Sequence, residues 1–298
     1  MQLPGRMPAD ANTECTGDFA MMVHELLSKL AGEPIGPRLK KELGPVVDLA
    51  LPVAWPDVWV IGQKKAGTSL AANFIAQGLF GRDAAIDLPV RRWLQRGLLP
   101  VLVRFRPKAA LGVVARVQRA RVVKEPNLCY YVKELVSGLD GQAALVYVTR
   151  DRVQHIRSVL DRLLVREGDA VFMRPDVNFV WRKYCGALRP GDRVCNAAIP
   201  QLIENLARHF DETESMCLSA LSTPQSEPLI VRYEDILAFA HSGDSNGLSP
   251  ESSLAELAGR WPQFNWQQAR RVLGVQHQPK GARIIDDQLI EQVYARSA

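Results

Sequence analysis

The chain has no apolar run approaching the roughly 18 consecutive residues that cross a bilayer. It has no CxxC, HExxH or HxH grouping either, and its five histidines are scattered. Its cysteines (Cys15, Cys129, Cys185, Cys195 and Cys217) are widely spaced and odd in number. That pattern argues against a disulfide frame or a zinc site and for reduced, mostly buried thiols. The first residues, MQLPGRMPADANTECTGDF, lack a basic start followed by an apolar core. A secretory leader is therefore not expected, and the cytoplasm is the expected compartment. Aspartate and glutamate are missing between Arg91 and Lys124, where ten Lys or Arg residues stand. Such a stretch is either a solvated basic face or a local positive field for an anionic ligand or surface. Neither a duplex-reading motif nor the ring-and-glycine pattern of an RNA-binding sheet is present, so no nucleic-acid partner is expected.

What is present is an ordinary globular composition: 47% hydrophobic and 23% charged over 298 residues, with a net charge of +5. Residues 18–31 put Phe19, Met22, Val23, Leu26, Leu27 and Leu30 on one helical face. Gly36 and Pro37 end that unit, and a second short helical stretch follows. We expect residues 1–50 to be a helical segment packed on a single domain spanning 51–298. Four short apolar runs, VWVI (58–61), RVVK (121–124), ALVYVT (144–149) and PLIVRY (228–233), are too far apart for hairpins. The first and third run straight into amphipathic helical patterns, the third into VQHIRSVLDRLLV. Strands alternating with helices predict an α/β fold, a parallel sheet with helices on both faces. Ligands bind such sheets beyond the carboxyl ends of the strands. Residues 166–200 read as loops, EGDAVFMRPD and LRPGDRVCN among them, and 241–253 as an exposed linker in which Ser249, Pro250 and Glu251 start a helix.

The stretch VWVIGQKKAGTS (58–69) is a strand, a glycine turn and a helix start. First-turn amides and the helix dipole make such a corner an anion site. Gly67 lets the backbone approach closely, and the Thr68 and Ser69 hydroxyls can donate to the same oxygens. Gly62 and Gly67 have the spacing of the nucleoside-triphosphate loop G-x-x-x-x-G-K-[ST], yet Thr68 stands where the lysine should be, which disfavours a P-loop kinase.

The cations come earlier, and here the chain resembles the sulfotransferases that use 3′-phosphoadenosine 5′-phosphosulfate (PAPS). Their 5′-phosphosulfate loop reads G-x-x-[KR]-x-G-T-[ST], which Gly62-Gln-Lys-Lys-Ala-Gly-Thr-Ser69 fits. Their 3′-phosphate motif, R-[DN]-P-x-x-x-x-x-S, is similar to VTRDRVQHIRS, with Arg150 and Ser158 at the right separation and Arg152 in place of the proline. VVKEPNL (122–128) resembles a K-[DET]-P segment of bacterial and carbohydrate-directed members. IVRYEDI (230–236) is similar to a V-x-Y-E-D-L run, in which Tyr233, Glu234 and Asp235 have structural roles. QPKGARI resembles a Lys-Gly segment over the 3′-phosphate, which brings in Lys280 and Arg283. The usual aromatic residue after the loop is absent, with Leu70 and Ala71 there.

The resemblance implies a P-loop-like sulfotransferase fold and PAPS bound by Lys64, Lys65, Ala66, Gly67, Thr68, Ser69, Arg150, Ser158 and Lys280. It implies metal-independent, in-line transfer, with Lys65, or Lys64 if the register is offset by one, stabilising the leaving phosphate. Lys124 and Glu125 are the further catalytic candidates of the K-E-P segment. The proton acceptor is expected to be Asp87, 22 residues beyond Lys65, ahead of Glu125, expected to be the poorer base beside Lys124; Asp83 is nearby. The acceptor would be a hydroxyl, or second an amine, of a carbohydrate, lipid or secondary metabolite. The basic stretch 91–124 points to an anionic acceptor or a peripheral membrane contact through Trp93, Leu98, Leu99 and Phe105, which could equally be core. A nucleotide- or anion-binding protein of the same fold without turnover is the alternative.

Overall fold

The computed structural model describes residues 55–86, 108, 111–112, 114–115, 120–139, 141, 143–176, 185–222, 227–242, 251–276 and 284–297. The expected N-terminal segment, Asp87, Trp93, Leu98, Leu99, Phe105, Lys280 and Arg283 all lie outside them.

All four apolar runs become strands: β1 (Val58–Gly62), β3 (Val122–Lys124), β4 (Ala144–Thr149) and β8 (Leu229–Arg232). With the two-residue edge strand β2 (Ala85–Ile86) they form one parallel sheet in the order β2-β3-β1-β4-β8. The strand period of two divides their side chains between two cores. Trp59, Ile61, Leu145 and Tyr147 face a cluster completed by Leu128, Val132, Leu135 and Cys217. Val58, Val60, Val146, Val148 and Val231 face the opposite one. That second core is covered by α1 (Thr68–Phe80), α5 (Tyr233–His241), α6 (Ser253–Arg260) and α7 (Trp266–Gln276). On the first face lie a 3-10 helix (Pro126–Tyr131), α2 (Val132–Leu139) and the last turns of α4 (Ala198–Leu221). The α/β architecture with helices on both faces is thus as expected, and β1, buried at every position, is the sheet's centre.

The region 166–200 differs from expectation. A small antiparallel sheet of β5 (Leu164–Glu167), β6 (Ala170–Met173) and β7 (Arg193–Val194) occupies part of it. Glu167 pairs with Ala170 across Gly168-Asp169, and Gly168 has φ 58°. A glycine opening a two-residue loop is a hairpin signal, so this turn is legible in the residues. The preceding helix α3 (Arg152–Leu163) consequently stops at Leu163, two residues before the predicted end. α6 begins at Ser253, capped by the Ser252 hydroxyl, which accepts from the Leu254 amide at 3.2 Å, rather than at Ser249. A third core joins α3, α4, the small sheet and α8 (Asp287–Ser297) through Ile156, Leu160, Ile203, Leu206 and Ile290. Among the described residues no helix is long and apolar enough to cross a membrane. Of the four described cysteines, Cys129, Cys185 and Cys217 are buried, Cys195 is exposed, and none is disulfide-bonded.

Candidate functional site

β1 and β4 are adjacent parallel strands paired from Val58↔Ala144 to Gly62↔Val148, so their carboxyl ends emerge side by side. Each opens into a tight corner. The β1 corner turns at Ala66, whose amide donates to the Gln63 carbonyl at 3.0 Å, with Lys65 at φ 76° and Gly67 at φ 89°. Positive φ is routine for glycine and costs an L-residue about 1–2 kcal/mol. α1 starts at Thr68 with no side-chain cap, and its ladder begins where the Ala71 amide donates to the Gly67 carbonyl. The first-turn amides therefore have no intrahelical acceptor and aim past the sheet edge. Ala66 and Thr68 are buried, Lys64 and Ser69 half-buried, and Lys65 exposed. Gly67 has no room for a side chain: a Cβ there would lie 2.1 Å from the ring of Tyr233.

Arg150, the first residue beyond β4, reaches across to this corner. Its Nη1 donates to the Lys65 carbonyl at 2.8 Å, and its guanidinium lies over the Tyr233 ring at 4.5 Å. Its Nε is buried without a partner. Burial lowers its pKa from the ordinary value, opposed by Tyr233 and Glu234, but a guanidinium remains charged. Tyr233 thus packs on both corners. Glu234 accepts the Asp151 amide at 2.9 Å and Asp235 accepts the Ser253 amide at 2.7 Å, structural roles as expected. Asp151 caps α3 by accepting the Gln154 amide at 2.9 Å. Arg152, in the proline position, pairs with Asp211 of α4 at 2.6 Å and lies over the Tyr294 ring at 4.1 Å, a tie to α4 and α8 that proline could not make. Ser158 is half-buried in α3, about 9 Å further along the helix axis than Arg152.

The remaining candidates divide. Lys124 and Glu125 are buried at the end of β3, the Glu125 amide donating to the Val60 carbonyl at 3.3 Å, and both make contacts within the protein. They share the sheet edge with the β1 corner, Lys124 in register with Val60. Asp83 is exposed and accepts from Gln77 Nε2 at 2.9 Å. Asp87 and Lys280 lie outside the described residues. No group of three or more metal-ligating side chains occurs among those residues.

Sequence reasoning missed two clusters, both on the 24-residue helix α4, which it did not identify. Glu214 accepts from Tyr147 OH at 2.5 Å, Thr149 Oγ1 at 2.6 Å and Gln63 Nε2 at 3.2 Å, while Gln63 Nε2 also donates to the Phe210 carbonyl at 3.0 Å. One carboxylate therefore ties the ends of β1 and β4 together. Burial, with Cys217 and Glu214 beside it, drives the Tyr147 pKa far up, so this hydroxyl stays protonated and donates. Beside this network is a cavity of about 20 Å³ lined by Gln63, Lys64, Tyr130, His155, His209 and Phe210, with Val159 and Leu206. The signal was present as the spacing 206, 209, 210 and 213, one face of a helix.

Comparison with known proteins gives no family: no family model matches the chain, and no curated protein matches its sequence.

Proposed function

We propose that the chain is a sulfotransferase that moves a sulfuryl group from PAPS to a hydroxyl, or second an amine, of a carbohydrate, lipid or secondary metabolite. The observation that carries this reading is the bond from Arg150 Nη1 to the Lys65 carbonyl. It joins the two corners that the sulfotransferase resemblance assigns to opposite ends of one bisphosphorylated adenosine. PAPS would supply the activated sulfuryl group. Its 5′-phosphosulfate would meet the amides and hydroxyls at 64–69, with Lys65 or Lys64 neutralising the leaving phosphate. Arg150 would offer its fork to the 3′-phosphate, the unpartnered Nε included, together with Ser158 and Lys280. Amides and cations suit a sulfuryl group, which carries less charge than a phosphoryl group, and no metal step is part of the proposal.

The second reading, a binder without turnover, draws on the same bond, since Arg150 is already engaged by the loop and by Tyr233. A P-loop kinase is disfavoured by Thr68, which is buried where that loop places its lysine.

Thermal shift tests the reading. Adenosine 3′,5′-bisphosphate at a hundred times its Kd adds about 2.7 kcal/mol to stability. We expect a rise in Tm of several degrees with it and none with ATP and magnesium. A shift with ATP and magnesium alone would overturn the assignment.

A further inference from the structure

The pairing of β1 with β4 ends at Gly62↔Val148, one residue short of both corners. Gln63 and Thr149 come next, and each directly precedes a basic residue of a corner, Lys64 on one side and Arg150 on the other. Thr149 still pairs with Arg232 of β8, but the β1–β4 ladder no longer fixes the gap between the two corners. Strand alternation continues past Gly62, so Ile61 and Gln63 share with Tyr147 and Thr149 the face that α4 covers. There one side chain of α4 receives both sides. Glu214 accepts Thr149 Oγ1 on Oε1 at 2.6 Å, and on Oε2 it accepts Gln63 Nε2 at 3.2 Å and Tyr147 OH at 2.5 Å. Gln63 Nε2 also donates to the Phe210 carbonyl at 3.0 Å, one turn back on the same helix, so this buried amide is held twice. Further out, Arg150 Nη1 donates to the Lys65 carbonyl. The ladder, the Glu214 carboxylate and Arg150 thus follow one another along the seam. Neither corner needs Glu214 for its own shape. The Ala66 amide on the Gln63 carbonyl closes the first, and the Asp151 cap on the Gln154 amide closes the second.

We propose that Glu214, Gln63 and Thr149 are positioning residues that set the distance between the two corners. Through that distance they give the protein its preference for an adenosine phosphorylated at both 3′ and 5′ over one phosphorylated at 5′ alone. This rests on the sulfotransferase reading above, which assigns the corners to the two phosphates but gives none of these three residues a role. The physical reason is the gain from gripping one ligand at two points. Once one end is bound, the second contact forms within the complex, and it adds most when the two grips already stand at the ligand's span. A ligand that meets only the β1 corner is indifferent to that spacing. Cutting the Glu214 tie therefore removes preference rather than binding. Gln63 and Thr149 act through one carboxylate from opposite corners, so losing either has the same consequence, and losing both adds little to it.

The test is titration calorimetry of the full chain with adenosine 3′,5′-bisphosphate and with adenosine 5′-monophosphate. The wild type should prefer the bisphosphate by about 100-fold, the size of a good charge-assisted contact. Thr149→Val keeps the side-chain shape without the hydroxyl, and Gln63→Met keeps the length without the amide. Each should cut the preference about tenfold while the affinity for the monophosphate stays within about threefold of wild type. The double variant should match the single ones, and Thr149→Ser, which restores the hydroxyl, should recover the wild-type preference. Both nucleotides weakened equally, an unchanged preference in the two single variants, or losses that multiply in the double variant would show that the cluster only supports the fold, and would overturn the positioning role alone. A wild type that binds neither nucleotide, or both equally, overturns the sulfotransferase reading beneath it.

Discussion

Two residues of the β1 corner hold left-handed backbone for opposite reasons. Gly67 at φ 89° leaves room for the Tyr233 ring, and Lys65 at φ 76° holds a conformation that lysine disfavours. The corner thus spends stability on a lysine in that position, which the proposed function would use as a cation. Lys65→Gly should raise stability by about 1 kcal/mol in urea unfolding, because glycine adopts this φ freely, and under the proposed function it should lower sulfuryl transfer. Gly67→Ala should do the reverse of the first effect. With its Cβ 2.1 Å from Tyr233 Cδ2, it should cost more than about 1 kcal/mol and abolish the nucleotide-induced thermal shift.

At the scale of elements, α4 braces the site. Its first half packs in the third core through Leu202, Ile203 and Leu206, and its last turns reach the sheet through Cys217 and Leu221. Between them Glu214 accepts three side-chain hydrogen bonds from the β1 and β4 ends. Glu214→Gln replaces a charged acceptor by an amide that cannot accept through both arms. We expect a loss of about 2 kcal/mol, read as a lower urea midpoint at unchanged slope, and weaker nucleotide stabilisation as the corners lose their tie. Asp151→Ala removes the α3 cap beside Arg150 and should cost about 1 kcal/mol.

For the whole molecule, buried His155 sets a pH limit. Its folded pKa is depressed to about 3 by burial and by the neighbouring Arg150 and His209, against an ordinary 6.5. The unfolded chain therefore binds the extra proton first as the pH falls. The stabilisation is fully present above about pH 6.5 and is lost progressively down to about pH 3. Between pH 6.5 and 5 this amounts to roughly 2 kcal/mol, read from thermal or urea unfolding. His155→Gln should flatten that slope whatever it does to stability at pH 7.

Pattern alone made the sheet legible. Four apolar runs at crossover spacing became its main strands, and their alternation divides the two cores. The two corners were legible too, since the glycines, lysines and Arg150 stand next to strand ends in the chain. The hairpin at Gly168 is written in the residues as well, a glycine opening a two-residue loop between short apolar stretches. What only the tertiary structure decided is which corners touch and what lies beneath them. Arg150 meets the Lys65 carbonyl across 85 positions, and Glu214 meets Gln63 across 151. Local sequence determines backbone shape because propensity and turn chemistry act over a few residues. Contacts between distant residues depend on how the helices pack, and no short motif encodes that.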